Sequence, residues 1–199
     1  MALETSIIQV IQVFLSLGGA IDEFPGLLVA SSSSGTYSGI AVSKDNSTIY
    51  GAIANVNGGQ ILAYKQRQAT IVPGSTLGSH PRLATGPDGT VYSLWLFNGG
   101  LRLLEDTFSN GSYIQSVIPV VRSSPVISAN AADIASDSEG NIFIADSTSS
   151  TVLKLTRSND GTFSQSVIAT GFAGLITVDP NNNIYCVDGT TVYELSPQP

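Results

Sequence analysis

From about residue 39 onward, the chain is written as short apolar runs separated by turns rich in Asp, Asn, Gly and Pro. Runs of that length bounded by turn residues predict β-strands rather than helices. Four segments share one pattern: an apolar strand, a tight polar turn, and a second strand carrying an aromatic. They start at Gly39, Leu83, Ile134 and Leu175 and end at Tyr50, Tyr92, Phe143 and Tyr185. Their turn residues tolerate positive φ or preset φ, which a tight hairpin requires. With Tyr50, Tyr92, Phe143 and Tyr185 in common register, the units lie 42, 51 and 42 residues apart.

Each unit continues into a third strand, at Gln60–Tyr64, Leu101–Leu104, Thr151–Leu155 and Thr191–Leu195. Three units add a fourth, at Ala69–Val72, Tyr113–Ile118 and Phe163–Ile168. A period of roughly 40–50 residues with several short strands marks propeller blades. The expected fold is therefore all-β: a small β-propeller of about four four-stranded blades, forming a single domain over residues 1–199. Blade boundaries fall near 39–77, 78–128, 129–170 and 171–199. The last blade lacks an outer strand, and an open sheet edge exposes unpaired backbone groups. Residues 5–13 resemble the outer strands at 112–118 and 162–168 and are expected to close the ring there. A short amphipathic helix, or an arm that pairs with another subunit, are the alternatives for that segment. Residues 15–38, punctuated by Gly18-Gly19, Pro25-Gly26 and a serine run, read as a connector with room for an extra hairpin through Leu27–Val29.

The stretch from Ile134 to Leu155 reads IASDSEGNIFIADSTSSTVLKL. It resembles the NHL-type propeller repeat: an apolar strand, an Asp-x-x-Gly-Asn turn, an aromatic strand ending in Ala-Asp, and a strand ending in apolar-Lys-apolar. Residues 175–195 match more loosely, keeping Asp179, Tyr185, Asp188 and Leu195. The related senescence-marker and strictosidine-synthase-like propellers share this blade pattern. Familiar members of those groups have six blades, whereas this chain has length for four.

Composition narrows the function classes. Charged residues make up only 12% of the chain, against roughly 25% in an average globular protein, so Ser, Thr, Asn and Gly must cover much of the surface. That suits an extracellular or cell-surface protein. The net charge is −7, and the eight Lys and Arg residues are scattered, so nucleic acid is not an expected partner. The apolar stretch Ile7–Leu17 is shorter than the ~20 residues of a membrane span and lacks the basic flank of a signal peptide. The single cysteine, Cys186, excludes an intrachain disulfide and lies in an apolar run that reads as core.

In a propeller, the loops joining second to third strands gather on one face with the links between blades. Here they would present Asn55, Asn57, Asn98, Asp146 and Asp188, with His80, Arg82, Asn130 and Asp133 from the links. Such a polar face could bind a sugar or a cation, although Asp146 and Asp188 equally fit a role in holding their turns. His80, the only histidine, has no evident nucleophile partner, and no Gly-x-Ser-x-Gly elbow is present. Arg82 could hold a carboxylate ligand, and Asp133 is the one plausible member of a channel-facing acidic set. Trp95 reads as blade packing. Two sequons, at Asn46 and Asn110, fall in predicted turns and are candidate glycosylation sites.

Neither a metal nor another cofactor is expected. The sequence thus points first to a non-enzymatic extracellular binding or structural module, with itself or a carbohydrate or protein as partner. Strand exchange through residues 5–13 would make it a self-assembling or fibre-forming subunit. A small lactonase-like hydrolase or lyase is the alternative.

Overall fold

The computed structural model describes residues 36–55, 58–65, 68–77, 81–97, 100–119, 132–146, 149–172 and 174–195. Fifteen strands and no helix are found among them. The first sheet contains β1 (Thr36–Val42), β2 (Ile49–Asn55), β3 (Gly58–Lys65) and β4 (Gln68–Leu77). The second contains β5 (Arg82–Thr85), β6 (Val91–Phe97), β7 (Gly100–Ser109) and β8 (Ser112–Ile118). The third contains β9 (Ala132–Ser136), β10 (Ile142–Asp146), β11 (Thr151–Arg157) and β12 (Phe163–Thr170). The fourth contains β13 (Ile176–Val178), β14 (Ile184–Asp188) and β15 (Thr191–Leu195). All pairings are antiparallel and join strands consecutive in sequence, so each sheet is one up-and-down blade. The protein is a four-blade β-propeller. The closing strand expected at residues 5–13, and the connector up to residue 35, lie outside the described residues.

One hairpin is repeated four times. In each blade the backbone N–H of the residue after strand one donates to the carbonyl of the residue before strand two: Ser43 to Thr48, Gly86 to Thr90, Asp137 to Asn141, Asp179 to Asn183. The residue that turns the corner has positive φ: Asn46 (57°), Gly89 (80°), Gly140 (82°) and Asn182 (67°). Only Asn and Gly occupy this position, the two residue types that reach the left-handed region at low cost.

Strand two carries the packing. Its aromatic points at the following blade: Tyr50 joins Leu83, Val91 and Trp95; Tyr92 joins Ile134 and Ile142; Phe143 joins Ile176 and Ile184. Three apolar clusters thus join four blades in series, with Trp95 buried in the first and Cys186 in the third. Each buried aromatic or aliphatic side chain contributes roughly 1.5–3 kcal/mol by removal from water. Directional ties supplement these layers at the ends of the inner strands. Thr85 Oγ1 donates to the Val42 carbonyl (2.6 Å), and Ser136 Oγ to the Thr85 carbonyl (2.7 Å).

Candidate functional site

The antiparallel register sorts the candidate residues to the two ends of the blades. The four repeated turns lie at one end; the loops between second and third strands lie at the other. At the loop end, Arg82 opens β5, and Asp133 holds the same place in β9. Arg82 Nη1 donates to the Ser38 carbonyl at 3.0 Å, tying the first two inner strands. Asp133 Oδ2 accepts the backbone N–H of Ile176 at 3.0 Å, tying the third blade to the fourth. Burial raises the pKa of Asp133, while its backbone hydrogen bonds and the charge of Arg82 oppose the shift.

Asp146 is buried at the end of β10 and accepts from Ser149 Oγ at 2.5 Å. Asp188 ends β14 opposite Thr191. Asn55 ends β2, opposite Gly58. His80, Asn57, Asn98 and Asn130 lie outside the described residues. Asn46 and Asn110 are exposed at hairpin corners, and Asn110 with Gly111 forms a turn with φ of 50° and 82°. Two successive positive φ values are what a type I′ hairpin needs.

The cleft that the structure forms at the turn end was not legible in the sequence. It has a volume of about 450 Å³ and lies between the first two blades, lined among others by Lys44, Lys65, Asp45, Asp88, Tyr50 and Phe108. Residues from two turns and from the outer strands of two sheets meet there, so no single stretch of sequence signals it. On one wall Tyr113 donates its hydroxyl to that of Tyr50 (3.3 Å), and the Phe108 and Tyr113 rings lie 5.0 Å apart, tilted by 60°. Phe108 is exposed.

Lys44 Nζ donates to the Ser136 carbonyl at 3.0 Å, reaching from the first blade to the third, and burial lowers its pKa. Asp45 is the opposite case. Hydrogen bonds from the Ser43 hydroxyl (2.6 Å) and the Ser47 backbone (3.0 Å) hold its carboxyl down at about 2. Behind the cleft, Asp106 is wholly buried. Burial pushes its pKa up to about 6, opposed by the hydrogen bond from Gln115 Nε2 (2.9 Å) and reinforced by the neighbouring Glu105.

A second charged group welds the next pair of blades. Arg157 Nη1 pairs with Glu105 Oε1 at 2.7 Å and donates to the Tyr92 hydroxyl at 3.2 Å, with its guanidinium over the Phe163 ring. Among the described residues no group of three or more His, Cys, Asp or Glu side chains is placed to hold a metal ion. Burial raises the Cys186 thiol to about 11, which keeps it protonated and unreactive at neutral pH.

No protein-family model matches the chain, and no curated protein does. Solved structures match its fold. A streptogramin B lyase aligns with a TM-score of 0.58 at 16% identity, over 82% of this chain and 55% of that one. A nidogen/laminin complex aligns with a TM-score of 0.56 at 17% identity, over 78% of this chain and 57% of that one. Virginiamycin B lyase from Staphylococcus aureus, crystallised with quinupristin, aligns with a TM-score of 0.57 at 16% identity, over 83% of this chain and 54% of that one. The likeness is one of fold, a β-propeller, shared with two lyases and with a nidogen/laminin complex. The chain spans just over half the length of these structures.

Proposed function

We propose that this chain is a non-enzymatic binding or structural module, working outside the cell or at its surface, that takes a carbohydrate or peptide segment in the turn-end cleft. The observation that carries this is the make-up of the cleft. An exposed aromatic ring, a pair of tyrosine hydroxyls and charges of both signs converge on one concavity, the mixture that orients a polar organic ligand. Phe108 supplies a flat apolar surface, and Lys65 and Asp88 supply hydrogen bonds at its rim. A glycan on Asn46 would stand beside this cleft, because Asp45 and Ser47 line it.

Screening the protein against glycan and peptide arrays, then titrating the strongest binder by calorimetry, tests the proposal. Phe108→Ala and Lys65→Ala are each expected to weaken binding about tenfold, which is about 1.4 kcal/mol. Unchanged affinity in both variants removes the cleft from consideration.

A hydrolase or lyase is the second reading, favoured by two carboxyls with raised pKa, the buried Asp106 and the half-buried Asp133. Turnover of a lactone panel that is lost in Asp106→Asn or Asp133→Asn would establish it in place of the binding module.

A further inference from the structure

The blades share one register, so two neighbouring interfaces can be compared position by position at the turn end. Between the second and third blades, four groups converge. Tyr92 and its cross-strand partner Glu105 come from one side, and Arg157 and its cross-strand partner Phe163 from the other. Arg157 Nη1 pairs with Glu105 Oε1 at 2.7 Å and donates to the Tyr92 hydroxyl at 3.2 Å. Its guanidinium lies 5.5 Å from the centre of the Phe163 ring. A phenolic oxygen, a carboxylate and an aromatic face thus hold one cation.

The same positions between the first and second blades are Tyr50, Ala63, Phe108 and Tyr113. Tyr50 and Tyr113 stand where Tyr92 and Phe163 stand, so the phenolic oxygen and the ring are kept. Ala63 stands in the place of the carboxylate and Phe108 in the place of the arginine. With these two exchanges the cleft measures about 450 Å³, against about 280 Å³ for the concavity beside Arg157. A carboxylate is still supplied, from the next position along β7. Asp106 alternates with Leu104 and Phe108, lies opposite Val91 and is wholly buried, and its Oδ2 has no hydrogen-bond partner. The first interface therefore has the ring, the hydroxyl and the carboxylate of the second, and a cavity where the second has its guanidinium. Two lysines line this cavity, but Lys44 Nζ donates to the Ser136 carbonyl at 3.0 Å, and the charge of Lys65 acts on Asp45. The Tyr50 oxygen accepts from Tyr113 at 3.3 Å and keeps a second lone pair.

We propose that the cleft takes an arginine side chain of a peptide partner, its guanidinium stacked on Phe108 and Tyr113 where Arg157 stands in the next interface. This rests on the reading of the cleft as a ligand site and names the group it takes. A planar guanidinium suits the site better than an ammonium, because it stacks on aromatic faces and is more weakly hydrated. The net charge of −7 favours a basic partner. Lys65, exposed at the rim, is left to donate to a backbone carbonyl of the same peptide.

Calorimetry with acetyl-Gly-Arg-Gly-amide and its citrulline counterpart tests this, since citrulline keeps the shape and removes the charge. The arginine peptide is expected to bind about tenfold more tightly, with the lysine peptide between the two. Phe108→Ala, at an exposed position, should lose most of that preference while melting at the parent's temperature. Ala63→Glu combined with Phe108→Arg rebuilds the ion pair of the second interface inside the cleft and should abolish binding of all three peptides. Absence of binding, equal affinity for the arginine and citrulline peptides, or a preference that survives both variants would overturn the assignment. If a glycan or another peptide then binds with dependence on Phe108, the cleft stands as a ligand site and only its occupant is wrong. If no ligand shows that dependence, the binding reading of the cleft falls as well.

Discussion

Asp106 shows what a single side chain contributes to this scaffold. Its carboxyl is buried between the first two blades; one oxygen accepts from Gln115, and Oδ2 has no hydrogen-bond partner. Because burial raises the folded pKa from 3.8 to about 6, the charged form is disfavoured in the folded state. Stability from this group is thus complete when it is protonated in both states, below about pH 4, and is lost as the pH rises through about 6. A two-unit shift corresponds to about 2–3 kcal/mol. Asp106→Asn keeps the acceptor for Gln115 and removes the charge. It should raise stability by about 2 kcal/mol at pH 7 and by almost nothing at pH 4, as read from urea melts at the two pH values. Equal effects at both would show that the carboxyl is not the titrating group. The composition gave no hint of this: Asp106 follows Glu105 in a strand, and an acidic pair there reads as solvent-facing until the alternation is placed against the neighbouring blade.

At the scale of the element, the repeated hairpin is the unit of local order, and its four versions are not equally held. Asp137 Oδ1 accepts from the backbones of Glu139 (2.9 Å) and Asn141 (2.8 Å), and Oδ2 from Asn141 Nδ2 (2.7 Å). Asp179 repeats this with Asn181 and Asn183. In the second blade, Asp88 accepts the Thr90 backbone N–H at the longer distance of 3.2 Å. Asp137 and Asn141 are also buried, so losing the acceptor strands donors that water does not reach. Asp137→Ala should therefore cost about 2–3 kcal/mol and Asp88→Ala about 0.5–1 kcal/mol. Chemical denaturation with an unchanged slope checks this, and equal costs would show that the extra hydrogen bonds carry no net stability. The Asp-x-x-Gly-Asn string was visible as a turn from sequence alone, because turn chemistry is local. The outer strand β4 was visible only in part. Pro73 signals a strand end after Val72, yet β4 continues to Leu77, with irregular register against β3. An outer strand tolerates a proline where a central one does not.

Across the whole molecule, packing is graded from the middle blades outward. Every residue of β10 is buried, and it is paired on both sides, whereas β15 is largely exposed and has one partner among the described strands. Amide exchange followed by mass spectrometry should therefore find β10 among the slowest segments and β15 among the fastest. Equal protection of the two would mean that another strand holds the free edge of β15, the place expected for residues 5–13.

The sequence by itself determined the all-β class, the four blades, the position of every repeated turn and the inward role of Trp95 and Cys186. Those features follow from local backbone preference and from period-two alternation, which act within a few residues. Tertiary structure alone decided which charges meet. The Arg157–Glu105 pair joins residues 52 positions apart, the Lys44 contact with Ser136 spans 92, and the turn-end cleft draws on turns and outer strands of two sheets. It also decided that Val192 is bare where Ile61, Leu103 and Val152 are sealed. All four are apolar residues in the same register, and only their packing in the tertiary structure separates them.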